Sequence, residues 1–145
     1  MNPENVIVKY ATNLSIFPND ETIELWKKFK KVILNVSIDG VGEKFEYVRW
    51  PLQWHQVDNN IRRLKETTDL SILATMNPFN IYYVDEIEDW VLDMFPDQTR
   101  ESIYPRLLGL NSATFTKFSL DATPPTLREA CYEKFGADHR VSRLL

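Results

Sequence analysis

Lys31-Val32-Ile33-Leu34-Asn35-Val36-Ser37-Ile38 is nearly continuous apolar sequence, and Asp39-Gly40-Val41-Gly42 ends it. A run this short, β-branched and bounded by turn residues predicts a strand covered on both faces, as parallel strands are. Similar runs lie on either side. Residues 5–11, Asn-Val-Ile-Val-Lys-Tyr-Ala, predict an earlier strand, and residues 70–76, Leu-Ser-Ile-Leu-Ala-Thr-Met, a later one that breaks at Asn77-Pro78. Between the first two, Asn19 or Asp20 is placed to cap a helix over 21–29, with Ile23, Trp26 and Phe29 on one face. Between the second pair, residues 43–50 read as a polar and aromatic loop. Pro51 then opens a helix in which Trp54, Val57, Ile61 and Leu64 share a face. After the third strand a helix starts near Asp85, with Val84, Ile87, Val91 and Met94 inward. Acidic Asp85, Glu86, Glu88 and Asp89 crowd its first turns, as the helix dipole prefers. Residues 104–108 and 116–120 read as short extended pieces around a loop at 109–114. Pro124-Pro125-Thr126 leads into a last helix with Leu127, Ala130, Cys131 and Phe135 inward, and the tail after Gly136 reads as poorly ordered.

This alternation predicts right-handed βαβ units. The expected fold class is α/β, a partial (β/α) barrel with mostly parallel strands and alternating helices. One domain spans 1–145, the barrel portion over about 1–120 and a C-terminal helix and tail over about 121–145. Lys plus Arg number 17 against 21 Asp plus Glu, a net charge of −4 with no basic stripe, which disfavours a nucleic-acid partner. A single cysteine, Cys131, excludes an internal disulfide framework and a Cys-rich metal site held by this chain alone. No apolar run approaches the roughly 20 residues of a membrane span. The start Met-Asn-Pro-Glu-Asn has no secretory character, so a cytoplasmic location is expected.

Each predicted strand ends in a small polar cluster: Thr12-Asn13, then Ser37 with Asp39-Gly40, then Asn77 with Asn80. In open parallel sheets ligands bind at the carboxyl ends of the strands. Wet loops also end strands in polar residues, and pattern alone does not separate the two readings.

Residues 36–49, Val-Ser-Ile-Asp-Gly-Val-Gly-Glu-Lys-Phe-Glu-Tyr-Val-Arg, resemble the fourth-strand region of radical S-adenosylmethionine enzymes. The nearest subgroup carries a twitch or SPASM-like auxiliary domain, and there a similar loop leads into a Trp-containing helix, here residues 54–64. Thr12-Asn13-Leu14-Ser15 is similar to the segment after the family's third strand, and residues 77–80 to the one after the fifth. The resemblance runs in order over about residues 5–95. It implies the C-terminal half of a partial TIM-type barrel, with S-adenosylmethionine as cofactor and Thr12, Asn13, Ser37, Asp39, Arg49 and Asn80 as cofactor-contacting residues. The family's CxxxCxxC loop, whose thiolates hold a [4Fe-4S] cluster, is absent, so no metal ligand is assigned here and no activity is expected of this chain alone. A gene split, a truncated reading frame or a partial sequence would give such a fragment. The implied partner is an N-terminal cluster-bearing polypeptide.

On that resemblance Ser37 and Asp39 would meet the ribose hydroxyls. Otherwise Ser37 faces a neighbouring strand and Asp39 makes a local turn before Gly40. Arg49 would grip the cofactor carboxylate with its planar fork of donors, or is a surface arginine. Asn13 and Asn80 contact cofactor or substrate, or are loop residues. Tyr47, Trp50 and Trp54 read as core packing beneath the helix rather than as a lid. His55 reads as a solvent-facing helix residue with Asp58 as its one local carboxylate, and Cys131 as a buried, inert thiol. A second function class remains, a non-catalytic α/β binding or interaction module; under either class the open sheet edges invite self-association or a partner chain.

Overall fold

The computed structural model describes residues 2–104, 108–112 and 119–145. Four strands, β1 (Ile7–Thr12), β2 (Lys31–Ser37), β3 (Asp69–Met76) and β4 (Leu108–Ser112), form one sheet in the order β1-β2-β3-β4. Every neighbouring pair is parallel. Helix α1 (Asp20–Trp26) links β1 to β2, α2 (Gly42–Val48) and α3 (Trp54–Leu64) link β2 to β3, and α4 (Val84–Met94) links β3 to β4. Helix α5 (Pro125–Phe135) follows. The α/β class with a parallel sheet and alternating helices is therefore present.

Asn19 caps α1, its Oδ1 accepting the Thr22 N–H at 2.9 Å. The helix stops at Trp26, short of Phe29, and none of its residues is fully buried. In β2, burial alternates along the strand: Val32, Leu34 and Val36 are buried, whereas Ile33, Asn35 and Ser37 are half-exposed. Both faces of β2 are thus covered, but unequally: one fully, the other in part. Register sets Leu34 beside Leu70 and Val36 beside Ile72, so the buried residues of β2 and β3 line the same face. Val57, Ile61 and Leu64 of α3 and Ile87, Val91 and Met94 of α4 complete that core. The opposite face carries Ile33, Ser37, Ser71 and Leu73, none of them fully buried.

Residues 43–50, expected as a loop, mostly form α2. Phe45 is fully buried and packs its ring 5.2 Å from that of Trp54. Pro51 does not open a helix. Its peptide bond to Trp50 is cis, and α3 begins at Trp54, whose N–H is capped by Glu46 Oε1 at 2.8 Å. The expected loop at 109–114 is likewise corrected, because Gly109 to Ser112 belong to β4. Gly109 sits opposite Leu73, and a Cβ there would lie 2.8 Å from the Leu73 Cδ2 atom. Most of the expected piece at 116–120 lies outside the described residues, and Leu120 starts a 3-10 turn. Within α5 only Cys131 is fully buried, and burial raises its thiol pKa. The tail after Gly136 is packed, with Val141 in the core and the Leu145 carbonyl accepting from Arg128 Nη1.

Candidate functional site

Because all four strands run the same way, their carboxyl ends lie at one end of the sheet. Asp39 follows β2 there and is 8% exposed. It makes no local turn. Its Oδ1 accepts the Thr75 N–H of β3 at 2.8 Å, and its Oδ2 accepts Arg49 Nη2 at 2.6 Å. The carboxylate therefore ties two strand ends together and holds Arg49, the residue that ends α2. Asn80 completes the tie. Its Nδ2 donates to the Asp39 carbonyl at 2.9 Å and to the Thr75 carbonyl at 3.0 Å, while its Oδ1 accepts the Asn77 N–H at 2.8 Å. At 2% exposed, Asn80 has both amide hydrogens engaged inside the protein.

The loop after β1 is also tightly built. Thr12 Oγ1 accepts the Leu14 N–H at 3.0 Å, and Asn13 Oδ1 accepts the Ser15 N–H at 3.1 Å. Leu14 is left-handed, with φ at 52°, and is buried. From α3, Asn60 Nδ2 donates to the Leu14 carbonyl at 2.9 Å and fixes that conformation. A non-glycine residue costs about 1–2 kcal/mol in this region, so the loop is held by its surroundings.

Asn13, Asp39 and Arg49 share an open hollow of about 510 Å³ that Trp50, Pro51 and Leu52 also line. Thr12, Ser37 and Asn80 lie outside it. Thr12 borders a separate hollow with Tyr10 and Trp26. Ser37 is half-exposed on the opposite sheet face, and no partner for its hydroxyl occurs among the described residues. The Arg49 Nε is buried and has no hydrogen-bond partner among the described residues. Trp50 is 80% exposed, contrary to its expected place in the core, and Tyr47 is 76% exposed; only Trp54 packs inward, against Phe45 and Trp90. A free indole face beside a forked cation suits a ligand with a flat ring and an anionic group.

Other residues have structural employment. His55 is exposed, and Asp58 is engaged by Arg62 Nε at 3.0 Å and Trp90 Nε1 at 2.7 Å. Glu88, read as one of the acidic residues that the helix dipole favours, is 1% exposed and accepts Tyr104 Oη at 2.5 Å and Arg100 Nη1. Burial and that carboxylate push the Tyr104 pKa up. Among the described residues no cluster of His, Cys, Asp and Glu is placed to hold a metal, and no helix is long and apolar enough to cross a membrane. No family model, curated protein or solved structure matches this chain.

Proposed function

We propose that this chain is the C-terminal half of a radical S-adenosylmethionine-type barrel. It contributes cofactor- and substrate-contacting strand ends, supplies no iron–sulfur ligands and is inactive alone. The observation that supports this best is the shared hollow. Asn13, from the loop after β1, and Asp39 and Arg49, from the segment after β2, converge on it beside an exposed indole. S-adenosylmethionine offers an adenine for the indole and a carboxylate for the guanidinium. When bound in a complete enzyme it supplies the carbon radical. In this chain Arg49 orients the carboxylate and Asp39 keeps Arg49 in place. Cys131, the single cysteine, is buried on α5, so none of the cluster ligands is assigned to these residues.

Calorimetry with S-adenosylmethionine tests the reading. Weak binding is expected, abolished in Arg49→Ala and reduced in Arg49→Lys, which keeps the charge and loses the fork. No heat with the cofactor, or binding indifferent to both substitutions, refutes it. The exposed Tyr47 and Trp50 favour a second reading, a non-catalytic interaction module, which tight binding of an unrelated ligand would support.

A further inference from the structure

Among the described residues nothing pairs with the outer edge of β1. In the described sheet β1 pairs only with β2, through six consecutive residues without a bulge. Edge strands are usually blunted by charge, proline or a bulge, and this one carries a single lysine, Lys9. Tyr10 is 41% exposed on the edge, and Ile16 is 82% exposed beside it. A hollow of about 250 Å³ runs between them, lined also by Leu14, Pro18, Trp26 and Leu34. A row of unpaired backbone donors and acceptors next to an apolar slot is complementary to an extended strand.

We propose that β1 pairs antiparallel with β1 of a second copy, about a two-fold axis at Tyr10. Directly opposed residues of an antiparallel pair point to the same face. A two-fold through the sheet therefore centres on a residue, and two registers keep most of the strand paired. Centring on Lys9 sets two ammonium groups against each other. Centring on Tyr10 sets tyrosine against tyrosine, Lys9 against Ala11, and Val8 against Thr12, with no like charges opposed. Cross-strand aromatic pairs are favourable and like-charge pairs are not, so charge selects the second register. In that register Tyr10 leaves solvent at the axis, on the sheet face where its ring already lies 5.8 Å from that of Trp26. The result is an eight-stranded sheet with the helices of both copies on one side. In the proposed barrel an N-terminal half would pair along this same edge, so self-pairing is a property of the chain without that partner; the edge is not part of the Arg49 hollow, so sedimentation and the S-adenosylmethionine calorimetry fail separately.

Sedimentation of the full chain tests it, together with cysteine trapping. The expected mass doubles with rising concentration, and Tyr10→Lys keeps the chain monomeric with an unchanged circular dichroism spectrum. Under oxidation Tyr10→Cys links two copies. Ile7→Cys does not, since its two copies would lie six residues apart, about 20 Å. Buried Cys131 stays silent. A chain monomeric at every concentration overturns the proposal, as does trapping through Ile7→Cys or Lys9→Cys but not Tyr10→Cys.

Discussion

Asn80 shows what one buried amide does at a strand end. It joins the Asp39 carbonyl, the Thr75 carbonyl and the Asn77 N–H, three backbone groups from two segments. Asn80→Ala leaves them without that partner in a buried site. A loss of about 2 kcal/mol in urea-induced unfolding is expected. A change under about 0.5 kcal/mol would mean that water replaces the amide at no cost. The polar character of this position was legible from its place after a strand. Its bond to the Asp39 carbonyl was not, because hydrogen bonding across 41 residues leaves no local trace. Trp50 is the converse case: its neighbour Trp54 fits the helical period and packs, whereas Trp50 lies beyond α2 and before α3 and stays in solvent.

Helix α2 is the element that the sequence concealed. Val41 caps it with no side-chain bond, and the two glycines before Glu43 read as a strand terminator. Its formation follows from tertiary anchoring at Phe45 and from Lys44, whose Nζ reaches Glu86 of α4 at 2.8 Å. Phe45→Ala is expected to cost about 4 kcal/mol, the range for emptying a buried aromatic site. Circular dichroism during denaturant titration reads this without relying on tryptophan emission. The same variant should weaken ligand binding, because α2 places Arg49. An unaltered binding isotherm in the folded variant would detach Arg49 from that role.

Across the molecule, Glu88 of α4 gathers the segment before β4 and the C-terminal tail. Tyr104 and Arg100 donate to it, and His139 Nε2 lies 3.6 Å from its Oε1. The Tyr104 pKa is higher in the folded protein than in the unfolded chain. The native state therefore holds this proton where the unfolded state has released it. Stability from this group is full below about pH 10, the unfolded tyrosine value, and declines as pH rises above it. The raised Cys131 pKa acts in the same direction. Thermal unfolding between pH 8 and 11 should show the decline, and Tyr104→Phe should flatten its upper part. An identical slope in the variant would remove Tyr104 as the cause.

The sequence by itself determined the three long strands, their parallel order and the inward stripes of α3 and α4, since period and chain order are local properties. It also placed Asn13 and Asp39 at strand ends, while Arg49 was singled out only by the family resemblance. Only the tertiary structure decided that these three share a hollow, that Asn80 turns inward, that Glu88 is buried and that one face of β2 and β3 is buried more deeply than the other. Each of those outcomes depends on which distant group satisfies a polar atom or covers an apolar one, and that choice is made when the elements pack.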